Sequence, residues 1–179
     1  MVTKTLQLNT PLDEAAVRDL HAGDAVCLRG YVYAARDQAH KRLCDLIEQG
    51  KPLPIDLHGA AIYFVGPTPA RPGRVIGAAG PTTSSRMDAF SPILYAHGLR
   101  ATIGKGYRGA EVRKALQDCG AVHFSALGGA GALLSKHIFA SELVAYEELG
   151  SEAIRRLEFR DFPLVVAYDS YGNSVYNNM

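Results

Sequence analysis

Two spacings of apolar residues organise this chain. Between Arg36 and Gln49, Ala39, Leu43, Leu46 and Ile47 recur at i, i+4, i+7 and i+8, which predicts an amphipathic helix ended by Gly50 and Pro52. Upstream, Val26 and Leu28, then Tyr31 and Tyr33, alternate across Asp24 to Ala34, so this stretch reads as a strand pair or one long strand broken near Gly30. Leu6 and Leu8 mark a strand within Met1 to Pro11, and Leu12 to Leu20 a short helix. Ala60 to Val65 and Arg74 to Ala79 are short β-like runs either side of a Pro/Gly-rich loop. Ser85 to His97 predicts a helix in which Pro92 marks a start or a kink. Then come a strand over Leu99 to Ile103, a helix over Ala110 to Asp118 with Gly120 beyond it, a strand over Ala121 to Leu127 and a helix over Leu133 to Ile138. Leu143 to Tyr146, Leu157 to Phe159 and Leu164 to Tyr168 read as three further strands, and Gly172 to Met179 as a loose polar end. Strands and helices alternate from about residue 74, which predicts α/β layering: one α/β domain over residues 1–179, a β-rich N-terminal part packed on an α/β part.

At 179 residues the chain can bury roughly two thirds of its unfolded surface, so it needs no disulfide or structural metal to fold. A net charge of +1 offers no concentrated basic face for nucleic acid. The three cysteines, Cys27, Cys44 and Cys119, form no CxxC pair, sit in three predicted elements and read as core thiols of a protein in a reducing cytoplasm. No basic segment leads into an apolar run with a cleavage site, and no apolar run approaches the ~20 residues of a membrane span.

Three segments gather cationic and hydroxyl side chains where strands give way to loops or helices. In the first, Ala35 to Arg42, Arg36 stands at a predicted helix N-terminus, where free N–H groups and a bidentate guanidinium suit a carboxylate or phosphate. His40 follows one turn later; a solvated basic helix face accounts for the same residues. In the second, Gly80 to Asp88, four hydroxyl residues (Thr82, Thr83, Ser84, Ser85) precede Arg86, which suits an anion nest or, more simply, a helix cap. In the third, Lys105 sits between Gly104 and Gly106 after a strand, without the spacing of a P-loop. Gly128-Gly129-Ala130-Gly131 lacks the third glycine of a dinucleotide fingerprint, since Leu134 occupies its place. The six histidines are scattered singly, with no metal-ligand spacing.

Together these segments resemble the C-terminal domain of class I fumarases and the beta subunits of L-tartrate dehydratase and two-subunit fumarases. Ala35 to His40 is similar to the family's ARDxAH, Gly80 to Asp88 to GPTTxxRMD, Gly104 to Gly106 to GKG, and Gly128-Gly129 with Ser135-Lys136 to GGA…SK. The likeness runs from about Gly23 to Val175. It implies a swivelling β/β/α domain facing an alpha subunit that carries a four-iron, four-sulfur cluster on three cysteines, with no cluster on this chain. It further implies a hydro-lyase acting on a small dicarboxylate, fumarate/(S)-malate first and L(+)-tartrate as the alternative. In that reading Arg36, Thr83, Arg86 and Lys105 bind substrate and stabilise charge. Thr82 takes the proton-transfer role opposite an aspartate of the alpha subunit, and His40 stands behind the site. The three cations are expected to converge on one unneutralised pocket, with Asp37 and Asp88 able to pair with one each. A non-catalytic anion-binding or assembly module is the reading from a different class.

Overall fold

The computed structural model describes residues 4–176. The strands are β1 (Leu6–Asn9), β2 (Ala25–Ala34), β3 (Ala61–Tyr63), β4 (Ala101–Gly104), β5 (Val122–Ser125), β6 (Ile138–Ala145) and β7 (Ile154–Tyr168). The α-helices are α1 (Glu14–Arg18), α2 (Asp37–Glu48), α3 (Ser91–Ala96), α4 (Ala110–Cys119) and α5 (Gly131–Leu134). The fold is α/β, as expected, with all seven strands in one sheet of order β1-β2-β3-β4-β5-β7-β6. Strands β1 to β5 pair in parallel, and β7 runs antiparallel to both β5 and β2. That second β7 pairing closes β2-β3-β4-β5-β7 into a ring, flanked by β1 and β6.

Closure makes two cores. Inward residues of the ring, among them Val32, Tyr63, Ile103, Phe124, Phe159 and Phe162, form one apolar cluster. The outer faces of β3 and β4 are covered by α2, α3 and α4, where Ile62, Phe64, Leu43, Leu94, Val112 and Leu116 pack together. The predicted helix over Arg36 to Gln49 is α2, and Ala39 and Leu43 on its apolar stripe are fully buried. Helix α4 ends as predicted, on Gly120 in the left-handed conformation.

Several boundaries differ from the sequence reading. Strand β2 is one strand, with a register shift between Leu28 and Gly30. The last two predicted strands are one 15-residue strand, β7. Its extra residue lies opposite that shift, where Asp161 has φ 51° and pairs with Arg29 at 2.6 Å. The bulge changes the alternation, so that Phe159 and Phe162 both point inward and stack 4.0 Å apart. Arg74 to Ala79 is not a strand: its pairing stops at Thr68, whose N–H donates to Ala78 O at 3.1 Å and whose Oγ1 accepts from Ala78 N–H at 2.8 Å. Ser85 to His97 is two pieces, a 3-10 turn over Ser84–Met87 and then α3, which Pro92 opens. Of the segment expected to be loose, Ser174 bridges Tyr168 and Tyr176 packs on Tyr107, while residues 177–179 lie outside the described residues, as do residues 1–3 of the first predicted strand. Among the described residues no helix is long and apolar enough to cross a membrane.

Candidate functional site

Parallel pairing of β2, β3, β4 and β5 sends their C-terminal ends to one edge of the sheet, where α/β proteins gather ligand-binding loops. Phe64 N–H donates to Ile103 O at 2.8 Å, and beyond this bond the ladder between the β3 and β4 segments admits a third segment. Thr82 N–H donates to Phe64 O at 2.7 Å, Lys105 N–H to Thr82 O at 3.3 Å and Ser84 N–H to Lys105 O at 2.8 Å. Thr82 to Ser84 thus extends the sheet, and Thr83 forms a parallel bridge with Lys105. Two motifs from separate parts of the sequence are joined here by backbone hydrogen bonds. Thr82 is half-buried, and Thr83 and Lys105 are exposed.

The glycine-rich segment after β5 serves this loop. Ala79 N–H donates to Gly131 O at 3.1 Å, and a Cβ on Gly131 would lie 2.9 Å from Gly80 N. Glycine therefore lets the start of α5 touch the turn that carries Thr82.

Arg36 follows β2 and caps α2 with its backbone extended and no side-chain cap bond. Its guanidinium lies over Gly66, where a Cβ would come within 2.9 Å of Nη1. Asp37 Oδ1 at 3.8 Å and Glu152 Oε1 at 3.6 Å flank Nε without hydrogen-bonding to it, and all three atoms are buried without a hydrogen-bond partner. Arg86 reaches the same carboxylate: Nη2 lies 2.7 Å from Asp37 Oδ2, and Nε donates to that oxygen at 2.9 Å. Arg36 and Arg86 therefore meet across Asp37.

The expectation of an unneutralised pocket is corrected in part. Asp37 stands beside both arginines, Glu152 beside Arg36, and Asp88 pairs with Arg108 instead, at 2.7 Å. Lys105 forms no ion pair among the described residues.

The sequence alone gave no reason to select Glu152 or Arg108. Glu152 comes from the 3-10 segment Glu147–Glu152, far along the chain, and Arg108 was visible only as a loop residue after the glycine-flanked lysine.

His40 is fully buried rather than on a solvated face. Burial pushes its pKa down to about 4, aided by the Arg108 charge and opposed by the Arg36 carbonyl. The neutral ring donates from Nδ1 to Arg36 O at 2.8 Å and meets the Phe64 ring edge-on, with centroids 5.2 Å apart. The ring is thereby tied to the backbone of Arg36.

A cavity of about 810 Å³ includes Lys105 in its wall but not Arg36, Arg86, Thr82 or Thr83. Its remaining wall is largely apolar, with Val26, Leu127, Leu133 and Leu164. Arg36 and Arg86 lie outside this cavity, and of the three cations only Lys105 lines it.

The thiols do not suit a cluster. Cys27 lies in β2, Cys44 in α2 and Cys119 at the end of α4; all are free. Only Cys44 is buried, and burial raises its pKa to about 11, away from the thiolate that iron requires. Cys27 and Cys119 are half-buried, not the core thiols expected. Among the described residues, no three His, Cys, Asp or Glu side chains gather as a metal would need.

The sequence profile described as "Fumarase C-terminus" matches residues 2–179. A Methanocaldococcus jannaschii protein with the provisional name L(+)-tartrate dehydratase subunit beta is 37% identical, over 94% of this chain and 89% of its own length. The anaerobic class I fumarate hydratase of Escherichia coli is 35% identical over 97% of the chain, and fumarate hydratase 2 of Leishmania major 33% identical over 96%. The chain spans only 32% and 31% of those two fumarases, about a third of each. With a profile covering nearly every residue and these relatives in agreement, the chain belongs to the fumarase C-terminus family.

Proposed function

We infer that this chain is the beta subunit of a hydro-lyase that reversibly hydrates a small dicarboxylate, fumarate/(S)-malate foremost. One observation carries the reading: two arginines sharing one carboxylate lie on the same sheet edge as the Thr82–Thr83 segment bonded to Lys105. Family membership supplies the reaction class. The nearly full-length match to a protein named as a tartrate dehydratase beta subunit supports a separate subunit and keeps L(+)-tartrate as the second substrate reading.

In this reading the Arg36 and Arg86 guanidiniums take the substrate carboxylates through planar, two-oxygen contacts. An arriving carboxylate replaces Asp37 on Arg86, whose side chain is half exposed. Lys105 and the backbone around Thr83 stabilise the negative charge that builds as the C–H bond breaks. Thr82 moves the proton; its hydroxyl is a weak base alone and depends on the neighbouring cations to stabilise the alkoxide. His40 holds the Arg36 backbone from behind.

The cysteines of this chain do not fit a four-iron, four-sulfur cluster, so no step is derived through one. Such a cluster belongs, in this reading, to an alpha subunit, with which this chain forms the active hetero-oligomer in the cytoplasm. Anaerobic co-expression with an alpha-type protein bearing three cluster cysteines tests this, with assays on malate, fumarate and both tartrates. The expected result is turnover by the complex and none by this chain alone. A complex that forms yet turns over none of the four would leave the anion-binding or assembly module as the better reading.

A further inference from the structure

A buried polar network joins Arg108 to the Thr82–Thr83 segment. The Arg108 side chain is fully shielded from solvent. Its Nε donates to Asp88 Oδ1 at 2.7 Å and its Nη2 to Ser91 Oγ at 2.6 Å, while Nη1 lies 3.2 Å from His123 Nδ1. A guanidinium can only donate, so Nδ1 of His123 is an acceptor. Thr102 agrees with this polarity: its hydroxyl takes the Tyr95 O–H at 2.5 Å and donates to the same Nδ1 at 2.7 Å. The neutral ring therefore carries its proton on Nε2, which donates to Ser84 Oγ at 3.1 Å. Burial first, and then the Arg108 charge, hold His123 well below its ordinary pKa, which keeps the ring neutral.

Ser84 is where this network meets the sheet edge. The residue is fully buried, directly follows Thr83, and its N–H donates to Lys105 O. A Cβ on Gly104 would overlap Ser84 Oγ, so glycine there leaves the hydroxyl its room. Asp88 ties the other end, accepting from Arg108 Nε and, at 2.7 Å, from Gly109 N–H. A buried ion pair of this kind is often no more stable than apolar residues of equal volume. What it supplies here is fixed geometry between two loops that the sequence places about twenty residues apart.

We propose that Arg108 and His123 are positioning residues: Arg108 sets the His123 tautomer, and His123 Nε2–H fixes Ser84, so that Thr82 and Thr83 stay in register with Lys105. The functional meaning of that register rests on the dicarboxylate reading above; the bracing itself does not.

The test uses the ¹⁵N-labelled full chain with three variants, Arg108→Lys, His123→Gln and His123→Asn. Ring-nitrogen shifts of His123 report the tautomer, amide exchange at Ser84 and Lys105 reports the register, and malonate titration reports the site. Wild type should show the Nε2–H tautomer. Arg108→Lys should lose that preference and speed exchange at Ser84 and Lys105 by about tenfold, the loss of one net hydrogen bond, with β1 unaffected. His123→Gln keeps an amide donor near the Nε2 position and should retain slow exchange and malonate affinity; His123→Asn is too short and should lose both. If Arg108→Lys does not fold, the Gln-against-Asn comparison carries the same contrast. A wild-type Nδ1–H tautomer, unchanged exchange in folded Arg108→Lys, or equal exchange in Gln and Asn would each overturn the bracing. Failure of wild type to bind malonate would instead remove the dicarboxylate reading, leaving tautomer and exchange to judge the bracing.

Discussion

Arg86 and Asp37 stand 49 residues apart in sequence, yet two guanidinium nitrogens of Arg86 converge on one oxygen, Asp37 Oδ2, at 2.7 and 2.9 Å. Asp37 opens α2 directly after Arg36, so it holds Arg86 beside Arg36 and also competes with any carboxylate ligand for it.

Asp37→Asn should therefore separate binding from turnover. The chain should bind malonate roughly twofold to fivefold more tightly, as expected for removing a partly exposed charge pair worth up to about 1 kcal/mol. Turnover by the complex should fall, because Arg86 loses the partner that aims it. Calorimetry and steady-state kinetics on the same variant check both halves; weaker malonate binding would show that Asp37 does not compete.

Arg86→Lys should reduce activity of the complex at least tenfold, because a lysine keeps the charge and loses the planar fork. Lys41→Ala, on α2, is the control. Lys41 pairs with Asp45 at 2.8 Å on an exposed face, where solvent screening leaves the contact little weight. It should leave kcat/KM unchanged. Equal kinetics for the two variants would remove Arg86 from the site.

His40 predicts an acid-side loss of stability. Its folded pKa, about 4, lies below its ordinary 6.5, so between these values the unfolded chain binds the proton and the native chain does not. Stability is then fully present above about pH 6.5 and declines as pH falls toward 4; His123 acts in the same direction. For His40 alone the loss by pH 4.5 is about 2–3 kcal/mol. Urea melts of wild type and His40→Gln at pH 7 and 4.5 measure it: the variant should be less stable at pH 7 and show a shallower pH dependence. Parallel pH dependences would contradict a neutral buried His40.

Two glycine substitutions should differ sharply. Gly104→Ala puts a methyl into Ser84 Oγ and within 2.8 Å of Phe64 Cδ2, an overpacking that costs about 1–3 kcal/mol. Gly128→Ala meets only Lys105 Cδ, at 3.6 Å, an ordinary contact, and should fold with wild-type stability. Thermal melts compare them directly.

Local signals revealed much of this fold. The stripe of Ala39 and Leu43 and the glycine after α4 needed nothing beyond their own segments. What the sequence concealed depends on closure of the ring. Asp161 and Pro163 fall between two predicted strands, yet the bulge opposite Leu28 and Gly30 accommodates them inside β7. The site divides the same way. Arg36, Thr82, Thr83, Arg86 and Lys105 stand in short motifs beside strand ends, where residue type and position were readable. Glu152 reaches Arg36 only because β7, which it precedes, returns beside β2, while Asp37 as a shared partner and the Arg108–His123–Ser84 network join segments that the parallel pairing of β2 to β5 brings together. A lone histidine between Val122 and Phe124 carries no sign of its partners.

Dicarboxylate binding by the unpartnered chain tests the central claim most directly. Malonate should raise the melting temperature by mass action, well beyond chloride at equal ionic strength, and the effect should weaken at high salt. Arg36→Ala/Arg86→Ala should abolish the shift without changing the melting temperature in chloride by more than a few degrees. Equal stabilisation by malonate and chloride, or a malonate effect undiminished in the double variant, would contradict a dicarboxylate site built on Arg36 and Arg86.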